Sequence, residues 1–175
     1  MANVPTMRMQ GNDYYCGLRC LITAADRFGL TVDERPIWQR RARRDWGIDQ
    51  DGITAIASRM GLEVRQDYGR TIRHLRNGSL WMARIWCRLP DETGENGVWE
   101  GAHYVLVFSA TAQTVKVGDP YPQALPAIRG VPWSTFRGQW SRERRWALEI
   151  LGPRFPLTGA TDSTVPQRRR TSRTA

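Results

Sequence analysis

Apolar positions change their spacing along this chain, from a helical period in the first half to alternation in the second. From Cys16 to Gly29 the apolar residues recur every three or four positions, which predicts an amphipathic helix beginning at or beside Cys16. Capping residues and glycines mark further short helices, and one apolar stretch between them predicts a strand. These predicted helices span residues 31–46, 51–61 and 71–77, and the strand spans residues 62–67.

The second half of the chain is rich in Val, Ile, Trp and Tyr, which is typical of β-strands. The predicted strands span residues 80–89, 102–110, 113–118 and 145–151, with a loop over 90–101 and a helix over 132–140. Helices followed by an antiparallel sheet predict an α+β fold. Beyond residue 153 the chain is mostly Pro, Thr, Ser and Arg, so we expect a domain over 1–153 and a disordered basic tail over 154–175.

The basic charge of the chain comes almost wholly from arginine. The net charge is +9, and Lys116 is the only lysine. Such a skew indicates a biased coding composition more than a nucleic-acid surface, and no nucleic-acid-binding motif accompanies it. We therefore do not expect nucleic acid as a partner, while the Arg-rich tail leaves an acidic partner open.

The cysteines, the histidines and the apolar runs exclude several classes of protein. Three cysteines suit a reducing compartment better than a disulfide framework, and two histidines argue against a dedicated zinc site. No apolar run is long enough to span a membrane and no secretory signal is visible, which predicts a cytoplasmic protein with non-classical export left open. We expect no cofactor and no metal.

A thiol at the start of a helix is a candidate nucleophile. The helix dipole and the free N–H groups there lower the pKa of a thiol, and Cys16 follows a loop of Gly, Asn and Asp. Gln10 lies six residues upstream, and its amide could act with the Cys16 backbone N–H as an oxyanion hole. The alternative is a buried cysteine that begins a core helix.

A thiolate nucleophile needs a base, and the chain offers His74 and His103. His74 lies in a polar short helix and is expected on the surface, whereas His103 starts a strongly apolar strand. If residues 110–112 form the turn after that strand, Asp119 pairs directly with His103 on the same sheet face. Asp119 then binds one ring nitrogen and leaves the other for Cys16. The alternatives are a structural strand histidine and a turn aspartate before a proline.

Four short motifs occur in a fixed order along the chain. They are Gln10, Cys16-Gly17, His103-Tyr104-Val105-Leu106-Val107 and Gly118-Asp119-Pro120. In this order they resemble the C39 and C39-like cysteine peptidases of the papain-like superfamily, over about residues 6–151. The resemblance implies a papain-like α+β fold in which an N-terminal helical lobe packs on an antiparallel β-sheet lobe. It implies Cys16 as the nucleophile and His103 as the general base and acid. Asp119 would then orient His103, and Gln10 would supply the oxyanion hole.

The resemblance also implies an activity. It implies a cysteine hydrolase that cleaves a peptide or amide bond of a peptide or protein substrate through a thioester acyl-enzyme. The same triad serves deamidases and acyltransferases, and a non-catalytic peptide-binding module of the same fold is a further alternative. Tyr15 departs from the family pattern, which often has Asp before the cysteine. Family members that trim double-glycine leaders are fused to a membrane exporter. No membrane span is predicted for this chain, so the resemblance does not imply leader processing.

Overall fold

The computed structural model describes five stretches of the chain, and all structural statements refer to them. These stretches are residues 6–11, 15–33, 48–90, 98–122 and 124–154. The helices are α1 (Cys16–Arg27), α2 (Gln50–Arg59), α3 (Ile72–Leu75) and α4 (Trp133–Arg142). The strands are β1 (Leu62–Asp67), β2 (Leu80–Pro90), β3 (Val98–Ala110), β4 (Thr114–Gly118), β5 (Ile128–Pro132) and β6 (Ala147–Pro153).

The six strands form one antiparallel sheet in the order β1-β6-β2-β3-β4-β5. The last strand of the chain, β6, therefore lies between β1 and β2. Strand β3 is the longest and pairs with β2 on one side and β4 on the other. Helices combined with an antiparallel sheet confirm the predicted α+β fold.

Hydrophobic side chains cover both faces of the sheet, because successive residues of a strand point to opposite sides. Tyr104 and Leu106 of β3 lie in a core that includes the apolar residues of α1 and α2. Val105 and Val107 lie in a second core with the buried aromatic side chains of α4. Packing on both faces fixes β3 in position, and with it the other side chains that this strand carries.

Most predicted elements are confirmed, with changes at their ends. The first helix begins at Cys16, and β1 has the predicted bounds. Helix α2 begins just before the predicted residue 51, because Asp49 Oδ1 accepts a hydrogen bond of 2.7 Å from the Gly52 N–H and caps the helix. The predicted loop over 90–101 is shorter, since β3 begins at Val98.

Some of the chain departs from the predicted elements or lies beyond them. The strand pattern does not predict β5, because Gly130 and Pro132 interrupt it. The predicted helix over 31–46 and the predicted tail fall mainly on residues 34–47 and 155–175, which lie outside the described residues. Within the described stretches, none of the helices has both the length and the apolar character needed to cross a bilayer.

Candidate active site

Cys16 is the first residue of α1, and its side chain is buried. The neighbouring Gly17 allows α1 to pack closely on the rest of the fold. A Cβ atom on Gly17 would lie 2.5 Å from Ile53 Cδ1 and 3.0 Å from Tyr104 Cδ2, so a larger residue would force these side chains to shift. The Cys16-Gly17 pair therefore brings the thiol to β3, the strand that also carries His103.

His103 and Asp119 form a buried pair beside this thiol. His103 Nε2 lies 2.8 Å from Asp119 Oδ1, and the two side chains are 2% and 3% exposed. The ring of Tyr121 meets the imidazole edge-on, with 6.3 Å between ring centroids. Because Nε2 is bound to Asp119, the other ring nitrogen of His103 is the one that hydrogen-bonds the Cys16 thiol.

The register between β3 and β4 differs from the predicted one. The connecting loop spans residues 111–113, and Val107 pairs with Val117, a shift of two residues, with a bulge immediately after Val107. The predicted direct pairing of His103 with Asp119 is therefore wrong, because Asp119 lies diagonally across from His103. An even shift keeps both side chains on one face, and diagonal neighbours remain within reach. The hydrogen bond consequently forms despite the different register.

The charges of the three groups favour an ion pair. Burial alone would raise the pKa of the Cys16 thiol, but the charge and hydrogen bond of His103 outweigh burial and lower that pKa. Burial would lower the pKa of His103, yet Cys16 and Asp119 together raise the pKa to about 10. Burial would likewise raise the pKa of Asp119, and its bonds to His103 and Arg129 lower it. The arrangement favours a thiolate, an imidazolium and a carboxylate in hydrogen-bonded sequence.

Gln10 lies on the segment that precedes α1 and is tied to the loop after β4. Its backbone N–H donates to the Pro120 carbonyl at 2.8 Å, so the segment is fixed next to Asp119. Gln10 is 4% exposed, and its side-chain Oε1 has no hydrogen-bond partner within the described residues. The structure therefore brings Gln10 to the neighbourhood of Asp119 through the backbone.

The remaining histidine and cysteines lie in different environments. His74 is exposed and caps α3, its Nδ1 accepting from the Thr71 backbone N–H at 3.2 Å. Cys20 is fully buried one turn along α1, its thiol donating to the Tyr104 carbonyl at 3.5 Å. Burial raises the pKa of Cys20 and also that of Cys87. Among the three thiols only Cys16 has a lowered pKa, which distinguishes it as the candidate nucleophile.

Two residues of the site are not indicated by sequence reasoning. Arg129 of β5 donates from Nη2 to Asp119 Oδ2 at 2.7 Å, and the Tyr121 backbone N–H donates to Asp119 Oδ1 at 3.0 Å. The Tyr121 contact is a local turn in which an Asp side chain accepts from the N–H two residues on. Arg129, in contrast, reaches Asp119 only through the pairing of β4 with β5, which no local motif indicates. Across the described stretches, no three His, Cys, Asp or Glu side chains are grouped so as to hold a metal ion.

A buried thiol–imidazole–carboxylate chain at a helix start, on an α+β fold, is an arrangement suited to cysteine-dependent acyl chemistry. A comparison with protein families gives the same class. The model of the peptidase C39 family matches residues 5–143, and the chain therefore belongs to that family. No curated protein sequence matches the chain.

Solved structures of peptidases share the fold. A putative C39-like peptidase from Bacillus anthracis is 15% identical, with a TM-score of 0.63 over 86% of this chain and 96% of that one. The peptidase domain of Streptococcus ComA, a bifunctional ABC transporter, is 16% identical, with a TM-score of 0.64 over 85% and 98% of the two chains. A double-glycine-motif protease from an AMS/PCAT transporter, solved with its leader peptide, is 16% identical, with a TM-score of 0.60 over 83% and 89%.

Proposed function

We propose that this protein is a papain-like cysteine hydrolase that cleaves a peptide or amide bond. Cys16 is the nucleophile, and His103 is the general acid and base. Asp119 orients the imidazole, and Gln10 contributes to the oxyanion hole. The observation that carries the proposal is the hydrogen-bonded chain from Cys16 to Asp119, in which the pKa of the thiol is lowered and that of the imidazole is raised.

The chemistry follows from the groups present. The Cys16 thiolate attacks the substrate carbonyl carbon, and the C=O π electrons move to oxygen to form a tetrahedral oxyanion. The Cys16 N–H at the start of α1 and the Gln10 amide stabilise this charge. When the oxyanion collapses, the C–N bond breaks and the His103 imidazolium gives its proton to the leaving amine. The product of this half-reaction is a thioester on Cys16.

The second half-reaction releases the acyl group. Neutral His103 removes a proton from water, the resulting hydroxide attacks the thioester, and the Cys16 thiolate leaves while His103 keeps the proton. Asp119 stabilises the imidazolium in both half-reactions. It also binds the His103 ring nitrogen that points away from the thiol. An amine in place of water would give acyl transfer by the same steps, and a side-chain amide as the target would give deamidation.

The substrate class that fits best is a peptide or a protein. Membership of the peptidase C39 family supports it, and so does the related protease that was solved with its leader peptide. We also propose that the catalytic domain spans residues 1–153 and that residues 154–175 form a separate basic tail. The last strand, β6, lies between β1 and β2 in the sheet, so a boundary after residue 153 leaves the sheet whole.

A peptide-library screen tests the proposal. We expect the wild-type protein to cleave a subset of the library, and Cys16→Ala to abolish cleavage while the fold is retained. Cys20→Ala and Cys87→Ala are the matched controls, since both thiols are buried with raised pKa values and should leave turnover intact. Products are identified by mass spectrometry, which separates hydrolysis from deamidation and acyl transfer. Turnover retained in Cys16→Ala would end the proposal.

A further inference from the structure

The second oxygen of the Asp119 carboxylate is held by a residue of another strand. Asp119 Oδ1 binds both His103 Nε2 and the Tyr121 backbone N–H, at 2.8 and 3.0 Å. Asp119 Oδ2 accepts from Arg129 Nη2 at 2.7 Å. With both oxygens bound, the carboxylate has one fixed orientation, and rotation about its χ2 angle would break three hydrogen bonds.

The position of Arg129 is set by strand pairing. Val117 pairs with Arg129 and Gly118 pairs with Ile128, and the Asp119 N–H donates to the Ala127 carbonyl at 2.8 Å. Arg129 is therefore the diagonal neighbour of Asp119, a distance that a long side chain spans. The guanidinium also donates from Nη1 to the Ala124 carbonyl at 3.4 Å, which is a second, weaker attachment to the loop after Asp119.

A cavity of about 200 Å³ lies next to this pair. Both Asp119 and Arg129 line it, and Val105, Val117 and Phe136 contribute apolar walls. The Asp119 side chain is only 3% exposed, whereas the Arg129 side chain is 32% exposed. The guanidinium is thus the more solvent-accessible partner and covers the carboxylate, so removal of the Arg129 side chain would enlarge the cavity beside Asp119.

We infer that Arg129 is a positioning residue of the catalytic site, which holds the Asp119 carboxylate against His103 and shields it from water. This inference rests on the proposed function, because it requires that the Cys16–His103 pair react. Arg129 binds the Asp119 carboxylate through Nη2, and it acts on the imidazole through that carboxylate. The titratable and charged groups around the His103–Asp119 pair are Cys16 and Cys20 of α1, Cys87 of β2, Tyr121 of the loop after β4 and Arg129 of β5.

The test measures the reactivity of Cys16 and needs no knowledge of the substrate. Iodoacetamide alkylates the thiolate, and the pH at which the rate is half-maximal reports the pKa of Cys16. In Arg129→Ala the carboxylate loses its fixed orientation and stabilises the imidazolium less, so this pH should rise by about one unit. At a pH below this midpoint the alkylation rate should then fall about tenfold, the usual scale for one charged hydrogen bond. Peptide mapping assigns the modification to Cys16.

The matched control is Arg65→Ala. Arg65 also binds a buried carboxylate of the same sheet, Glu149, but that carboxylate has no histidine partner. Arg65→Ala should lower the melting temperature and leave the alkylation profile of Cys16 unchanged. Arg129→Lys keeps the charge and one donor to Asp119, and it should retain most of the wild-type profile. Should Arg129→Ala fail to fold, Arg129→Met, which keeps an aliphatic stem, is measured in the same assay.

Chemical rescue gives an independent measurement. Millimolar guanidinium, at constant ionic strength, should enter the enlarged cavity of Arg129→Ala and restore alkylation below the midpoint pH, whereas urea, which is planar but neutral, should not. A wild-type profile in Arg129→Ala, or equal shifts in Arg129→Ala and Arg65→Ala, would overturn the inference. A wild-type Cys16 that reacts no faster than an ordinary thiol at about pH 6 would instead refute the proposed function, so the two failures are distinguishable.

Discussion

Two buried carboxylates occupy the same sheet with different consequences. Asp119, after β4, and Glu149, in β6, are each 2% exposed, and each binds an arginine side chain. Asp119 binds His103 as well. Glu149 instead accepts from Asn77 Nδ2 at 2.8 Å. Both acids have a lowered pKa, so burial, an arginine partner and a shifted pKa do not by themselves identify a catalytic group.

The difference lies in what the second partner can do. Asn77 carries no titratable proton, and its Oδ1 is bound to the Trp81 indole at 3.1 Å, so the Glu149 cluster joins β1, β2 and β6 as a fixed structure. His103 takes up and releases a proton, and its other ring nitrogen faces a thiol. A buried carboxylate becomes part of a reacting system when its partner changes charge during the reaction.

The largest effect expected within this comparison is the loss of the base. His103→Ala should reduce turnover by ~10²–10⁴-fold, the usual contribution of general acid–base catalysis. His74→Ala should stay close to wild type, because His74 is exposed and only caps α3. The measurement is turnover on a peptide found in the library screen. An inactive His74→Ala beside an active His103→Ala would reverse the assignment of the base.

Replacing each carboxylate with its amide distinguishes the function of Asp119 from that of Glu149. Asp119→Asn should lower turnover by ~10–100-fold, the equivalent of one charged hydrogen bond, because the imidazolium loses its negative partner. Glu149→Gln should lose stability instead and keep turnover, since its cluster joins strands and does not contact the thiol. Each variant is assayed for turnover and thermal unfolding. Equal losses of turnover in both would show that the two carboxylates do not differ in function.

Much of the site can be predicted from the sequence, because the signals that indicate it lie close to each residue along the chain. Cys16 at a helix start and His103 in an apolar strand follow from patterns within about ten residues of each one, and the even register shift keeps Asp119 on the predicted face. Arg129 and Glu149 could not be predicted in the same way. Their partners depend on which strands lie side by side, and periodicity identifies strands without giving their order.

The fall of activity at alkaline pH also distinguishes the catalytic carboxylate from the structural one. The pKa of His103 is raised to about 10, so turnover should fall as the pH rises through about 10 and the imidazolium is lost. In Asp119→Asn the alkaline limb of the pH profile should move to lower pH, because the amide no longer stabilises the charged ring. In Glu149→Gln it should stay in place. The pH dependence of kcat is measured for all three proteins, and a displaced limb in Glu149→Gln would link the two regions.

The smallest expected effect concerns acid stability, which the two carboxylates share. Glu149 has a lowered pKa in the folded protein, so its contribution is present above its unfolded value of roughly 4.3 and is lost as the pH falls through the folded value. Glu149→Gln should therefore cost ~1 kcal/mol of unfolding free energy at about pH 7 and much less at about pH 3.

Asp119→Asn should follow the same trend, because the pKa of Asp119 is lowered as well. The two clusters share no partner, so the effects on the free energy of unfolding should add in the double variant. Denaturant unfolding at the two pH values measures all three variants. A cost of Glu149→Gln that is equal at both pH values would mean that the ionised carboxylate does not stabilise the junction of β1, β2 and β6. The contrast between a reacting and a structural carboxylate would then rest on Asp119 alone.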